Sequence, residues 1–312
     1  MAETADFMEY AYFRKNITEF AKAQISIAAN SLQYGTLAFG GIRGYCRNGK
    51  TTIFRLREHH ERLMNASKML GFEYYIEYEE FKNIMGELIK KNNVSGDFYV
   101  RPFIFCDTPR IAPKKPGLEF DLAIYFLRMD DYVKFDGGVR FMSSTYRKYN
   151  DASIPTKAKA GGAYINSFLA TSDAIRNGYD EALMMDDHGN VVEAAVANVL
   201  VVYRGRLLIP DTGAAALEGI TIRTVVELLE HAGYTVERER IDRSMIFSAD
   251  ELLVTGTAMK VVYAESLDGR PIGTPNYSEK AKPGKFCKFL QEEFEKVING
   301  EHEKSKDWLE VF

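Results

Sequence analysis

Cysteine is scarce: the chain has three, Cys46, Cys106 and Cys287, an odd number and far apart. They form neither a disulfide framework nor a zinc cluster, and a reducing cytoplasm is the simplest expected setting. Long apolar runs are absent too. No uninterrupted stretch approaches the ~18 residues that span a bilayer, so no membrane partner is expected. The opening MAETADFMEY has early acids and no basic segment, which argues against a secretory leader. Five histidines show no metal-ligand spacing, so no metal is expected. No GxGxxG follows a strand, and neither a Walker A motif nor HExxH occurs. Charge of one sign is also lacking: 40 basic against 44 acidic residues give a net charge of −4. That balance offers no footprint for nucleic acid. What remains is a globular composition, 46% apolar and 27% charged over 312 residues. It excludes a disordered chain, a coiled coil and a collagen, and the length favours two domains or one large one.

Periodicity outlines the elements. Residues 33–47 (QYGTLAFGGIRGYCR) suggest a strand followed by a bulge or turn. A helix is expected over 57–70, with Leu63, Met64, Leu70 and the semi-polar His59 and His60 on one side. A clearer one covers 79–91, where Phe81, Ile84, Met85, Leu88 and Ile89 keep helical spacing. Strands follow at 97–105 and 119–127, separated by the proline-rich loop CDTPRIAPKKPG. The Gly-Gly pair in 131–140 marks an interdomain loop. Beyond it, strands are expected at 182–185, 199–203, 206–209 and 252–254. Helices are expected at 221–232, ended by Gly233, and at 284–298. Neither half keeps a βαβ rhythm. The expectation is α+β, with a smaller N-terminal domain (1–130) and a larger C-terminal one (141–312).

Four segments could carry chemistry. Lys159 lies between small residues, in Lys157-Ala-Lys-Ala-Gly-Gly-Ala-Tyr164, where a flat ligand could approach the backbone. A desolvated lysine there would be a nucleophile; a solvated strand end is the plainer reading. Composition does not choose between Lys159 and Lys157. Glu193 sits in the apolar run Val191-Val-Glu-Ala-Ala-Val-Ala-Asn198. It is either a partner for a protonated ring nitrogen or a strand-edge carboxylate facing water. Gly219, before the helix at Thr221, leaves free N–H groups at a positive dipole end. Thr255-Gly-Thr257 offers more donors. Together they could hold one phosphate if they meet.

Several blocks then converge. They are Tyr34-Gly-Thr-Leu-Ala-Phe39 with Gly41-Ile-Arg43, Glu58-His-His-Glu-Arg62-Leu, Tyr99-Val-Arg101-Pro, Lys159-Ala-Gly-Gly-Ala-Tyr164, Glu193 with Asn198, Leu217-Glu-Gly-Ile-Thr221, and Thr255-Gly-Thr-Ala258. In order and spacing the chain resembles class IV (fold-type IV) pyridoxal-phosphate aminotransferases, most closely those acting on branched-chain amino acids. The likeness spans about 33–273.

The resemblance implies a two-domain fold-type IV architecture, an interdomain active site, a homodimer and pyridoxal 5'-phosphate as cofactor. It favours Lys159 over Lys157 as the Schiff-base lysine, in the C-terminal domain. It assigns Arg62, Gly219, Ile220, Thr221 and Thr257 to the cofactor phosphate, Tyr164 to the phenolic oxygen and Glu193 to the pyridine nitrogen. Tyr34, Phe39, Arg43, Tyr99, Arg101, Tyr132 and Ala258 match substrate-pocket positions. The implied reaction is ping-pong transfer of the amino group from leucine, isoleucine or valine to 2-oxoglutarate. Two departures stand out. The family's Phe-Glu-Gly-Ile-Arg is here Phe39-Gly40-Gly41-Ile42-Arg43, and the partner-pocket loop has Thr108-Pro-Arg-Ile-Ala112 in place of a Gly-Val pair. Arg110 could there replace backbone donors with a charge and bind substrate, or simply point into solvent. The departures motivate an alternative on the same fold: a D-amino-acid or (R)-amine transaminase, or an aminodeoxychorismate-lyase-like enzyme.

Overall fold

Residues 98–106 (FYVRPFIFC) carry aromatic and β-branched side chains, the composition of a central strand. In the computed structural model, which describes residues 6–129, 137–211 and 215–312, Phe98–Cys106 lies inside an eight-stranded antiparallel sheet. The order is Leu309–Val311, Lys50–Phe54, Ile42–Arg47, Phe98–Cys106, Phe120–Arg128, Phe7–Phe13, Asn16–Glu19, with Leu37–Phe39 also paired to Phe98–Cys106. Pro102 has no N–H for a ladder. The opposite strand is interrupted at that point, and Gly40 N–H donates to Pro102 O at 2.7 Å. Helices Leu56–Met69 and Tyr78–Lys91 bury Leu63, Met64, Phe81, Ile84, Met85 and Leu88 in one core with Phe98, Val100, Ile124 and Phe126 of the sheet.

The second sheet is mixed and has nine strands among the described residues. Its order is Val191–Ala194, Glu181–Met185, Val139–Arg147, Lys260–Leu267, Glu251–Gly256, Asn198–Tyr203, Arg206–Pro210, Val236–Glu239, with Arg270–Pro271 on Lys260–Leu267. Helix Tyr164–Arg176 sets Ala170 and Ala174 against Ala182 and Met184 of this sheet. Helix Ile220–His231 is followed by Gly233 at φ +84°, the left-handed stop its sequence calls for.

The chain divides into two compact units of nearly equal length. One is Met1–Tyr132 with Ala158–Ala163 and Val297–Phe312; the other is Val133–Lys157 with Tyr164–Lys296. This differs from the expected single C-terminal domain over 141–312. The residues around Lys159 join the first unit because its strand Leu37–Phe39 claims them. Phe39 N–H donates to Lys159 O at 3.0 Å, and Ala38 bridges Ala160. Gly162 N–H donates to Gly35 O at 3.2 Å. The chain end joins it because Leu309–Val311 pairs with Lys50–Phe54. The expected boundary near 131–140 lies largely outside the described residues, as does Tyr132. The single strand expected from residue 33 is instead the end of a helix, Asn30–Tyr34, a left-handed Gly35 (φ +66°), and two short strands.

Candidate active site

In the first unit the side chains collect around Lys159. Its carbonyl is fixed by Phe39, and its Nζ stands 5.0 Å from the centre of the Phe39 ring. The Arg101 guanidinium lies over the same ring at 4.7 Å and donates to the Tyr99 hydroxyl at 2.9 Å. Gly41 makes this possible, since a Cβ there would come within 2.0 Å of the Tyr99 oxygen. Burial pushes the Tyr99 phenol above its ordinary range, against the pull of Arg101. Tyr99 is therefore a neutral hydroxyl at working pH. Arg43 is buried 3.9 Å from Asp97.

Arg62 projects from the helix Leu56–Met69, and its guanidinium approaches His59 Nδ1 at 3.5 Å. His59 is held well below the ordinary imidazole range, first by burial and then by Arg62, Lys159 and Arg55. It stays uncharged, so the cationic region gains no further charge from it. Arg55 is matched by Glu58 at 2.7 Å.

Tyr34 is partly exposed at the end of its helix. Gly40 packs tightly: a Cβ there would sit 2.9 Å from Pro102 Cγ. The Arg110 guanidinium donates to the Pro116 carbonyl of its own loop. The same loop is tied down by Asn30, whose side-chain amide donates to the carbonyls of Arg110 and Ala112 at 3.1 and 3.2 Å.

The two lysines part company. Lys157 belongs to the second unit, where its Nζ meets Ala216 O at 3.3 Å and Glu218 Oε1 at 3.5 Å. The segment between them is not a strand, so they share no strand face.

In the second unit Glu193 is buried, not facing water at a strand edge. Lys148 Nζ lies 2.7 Å from its Oε1. Its Oε2 accepts from Asn198 Nδ2 at 2.9 Å and from Leu217 N–H at 3.3 Å. Asn198 also donates to Leu217 O at 3.0 Å and is pressed against Gly219, where a Cβ would meet its Oδ1 at 1.9 Å. Its register partner on the next strand is Thr255. Asn198 thus brings the 217–221 segment and the 255–257 segment together, which sequence alone left open. Gly219 caps the Ile220–His231 helix with no side-chain acceptor. Thr221 is buried at that helix start, and the buried Thr255 hydroxyl has no hydrogen-bond partner among the described residues. Thr257 and Ala258 follow in a half-buried turn, and Tyr164 begins the helix Tyr164–Arg176. An uncapped helix start beside an unsatisfied hydroxyl suits a phosphate.

Residues 38–267 match the class IV amino-transferase family. The chain belongs to that family. A probable branched-chain-amino-acid aminotransferase of Aquifex aeolicus is 34% identical over 305 residues, 97% of this chain and 96% of that one. The crystal structure of the branched-chain aminotransferase of Thermoproteus uzoniensis with norvaline superposes with a TM-score of 0.91 at 30% identity, covering 98% of this chain and 99% of that one. The T.th. branched-chain amino acid aminotransferase complexed with N-(5'-phosphopyridoxyl)-L-glutamate gives 0.89 at 29%, covering 98% of each. The fold is therefore fold-type IV. In this aminotransferase no helix among the described residues is long and apolar enough to cross a membrane. No described cluster of three or more His, Cys, Asp or Glu side chains could hold a metal.

Lys148 is the residue that sequence reasoning missed. It follows the strand Val139–Arg147 in an ordinary charged stretch. Nothing local marks it, because its partner Glu193 is distant in the chain.

Proposed function

We propose that this aminotransferase transfers the amino group of L-leucine, L-isoleucine and L-valine to 2-oxoglutarate with pyridoxal 5'-phosphate as cofactor. The observation that carries the cofactor reading is the arrangement around Asn198. The Asn198 amide links a buried carboxylate to the segment leading into an uncapped helix start, and its register partner Thr255 carries an unsatisfied hydroxyl. A ligand with a phosphate at one end and a basic ring nitrogen at the other answers both demands. When bound, the cofactor supplies a carbonyl carbon for the substrate amine and a ring that accepts the electron pair released at the substrate α-carbon.

The chain's own groups do the rest. Glu193 accepts a hydrogen bond from the ring nitrogen and favours its protonated form. Gly219, Ile220, Thr221, Thr257 and Arg62 bind the phosphate, and Tyr164 donates to the phenolic oxygen. Lys159 would hold the cofactor through its amine and, when that amine is free, would carry the proton to and from the substrate α-carbon. Uncharged His59 packs beside Arg62 without repelling it.

Substrate choice rests on Phe39, Tyr99 and Arg101, with Tyr34, Arg43, Tyr132, Arg110 and Ala258 as further pocket residues. An aromatic wall favours a branched apolar side chain by ~1.5–3 kcal/mol when it is fully buried. Arg101 pairs with the second carboxylate of the glutamate partner. The Aquifex aeolicus relative and the T.th. enzyme's complex with a glutamate adduct support both halves of this reading. Assembly as a homodimer, or a higher homo-oligomer, and a cytoplasmic setting belong to the same proposal.

A donor panel tests the function. With L-leucine alone the visible absorption of the loaded enzyme falls, and 2-oxoglutarate restores it, in separate half-reactions. Faster turnover with D-alanine or (R)-1-phenylethylamine than with L-leucine, compared as kcat/KM, overturns the substrate assignment.

A further inference from the structure

Glu193 has a cation partner that its role toward the ring does not require. Lys148 is fixed by its backbone, whose N–H donates to Met185 O at 2.9 Å. Its Nζ reaches Glu193 Oε1 at 2.7 Å, and both side chains are only 6% exposed. The ammonium also lies 4.7 Å from the centre of the Tyr149 ring. A buried ion pair is a poor device for stability alone, since apolar replacements of similar volume are often neutral or better. Its value is that it sets charge and direction. A buried carboxylate without a counter-charge is costly and tends to take up a proton. A protonated carboxyl then turns donor where it should accept. Here one oxygen is held by Lys148 and the other by Asn198 and Leu217.

We propose that Lys148 is a positioning residue of this aminotransferase: it keeps Glu193 charged and aimed so that Glu193 can accept a hydrogen bond from the ring nitrogen of bound pyridoxal phosphate. The proposal rests on the assignment of Glu193 to that nitrogen.

Ring-nitrogen NMR of enzyme loaded with 15N-labelled pyridoxal phosphate tests it, alongside single-turnover rates with L-leucine. Lys148→Met moves the ring signal toward the unprotonated position and slows the half-reaction at least tenfold. Lys148→Arg, which keeps the charge, restores the signal and brings the rate within about threefold of wild type. In a Glu193→Gln background Lys148→Met adds less than twofold, because both act through one carboxylate. Lys148→Gln, neutral but still a donor, replaces the Met variant if that one does not fold, and carries the same expectation. If Glu193→Gln moves the ring signal while Lys148→Met and Lys148→Gln leave it in place, the Lys148 proposal falls and the Glu193 assignment stands. An unmoved signal in Glu193→Gln removes the assignment itself. Multiplicative losses in the double variant also overturn the proposal, since they show Lys148 acting elsewhere.

Discussion

The surroundings of Lys159 and of Glu193 treat charge in opposite ways. Around Lys159 the first unit places Arg101 over the Phe39 ring and Arg62 beside a histidine that stays neutral. Around Glu193 the second unit buries one carboxylate and answers it with one lysine, one amide and one backbone N–H. The first arrangement sets cationic side chains among an aromatic ring, a phenol and a neutral imidazole. The second balances its charge and suits a ligand that must be oriented at a single nitrogen.

The sharpest way to break the comparison is at Lys159. Lys159→Ala should lower transamination at least ~10⁴-fold, about 5.5 kcal/mol in the barrier. Lys157→Ala should stay within about threefold, because its contacts are Ala216 and Glu218. Single-turnover rates with L-leucine decide the matter, and a dead Lys157→Ala variant reverses the choice of lysine.

Glu193 comes next. Glu193→Gln should keep the fold and the cofactor while slowing the half-reaction by ~100-fold, about 2.7 kcal/mol. A neutral amide no longer favours the protonated ring. Near wild-type rates would show that the paired charge in the second unit serves packing alone.

Some of this was open to a sequence reader and some was not, for physical reasons. Helices Tyr78–Lys91 and Ile220–His231 announce themselves, because their apolar spacing is local and their ends carry local signals. Phe7–Phe13 does not: besides the adjacent Asn16–Glu19, its partner is Phe120–Arg128, a distant segment that no local pattern reveals. The burial of Glu193 was hidden for the same reason, its counter-ion lying far upstream. The placement of Lys159 in the first unit depends on Gly35 and Ala38, which no pattern around residue 159 reveals. The blocks that mark the candidate site could be read in the sequence only through the family resemblance. Their division between the two units, and the linking role of Asn198, came only from pairing.

His59 gives a pH test of the cationic region. Its folded-state value lies well below the ordinary ~6.5 of the unfolded chain, with burial as the main cause. Below that ordinary value the unfolded chain takes up a proton that the folded one refuses. The stability contribution is therefore complete above about pH 6.5 and is lost as pH falls toward the folded-state value. The loss approaches ~1.4 kcal/mol per pH unit for one proton. Urea unfolding of wild type and His59→Asn at pH 7 and pH 5.5 isolates it. Wild type should lose about 1 kcal/mol more than the variant across that interval. Equal losses would mean that His59 takes up its proton in the folded protein.

The smallest effect is expected at Arg110, where the chain departs from its family. A substrate role would make Arg110→Ala raise KM by roughly tenfold, the worth of one charged hydrogen bond. The structure gives that guanidinium a local task, donating to the Pro116 carbonyl. Asn30 holds the same loop from its other side. With Asn30 in place the loop keeps its course, so losing the Arg110 bond should cost at most about 1 kcal/mol of stability. KM for L-leucine and 2-oxoglutarate should change less than about threefold. Asn30→Ala, which frees two carbonyls at once, should disturb KM more than Arg110→Ala does. If Arg110→Ala instead raises KM for both substrates tenfold at unchanged stability, the side chain leaves Pro116 when substrate binds. The first unit's gathering of cations then extends to this loop.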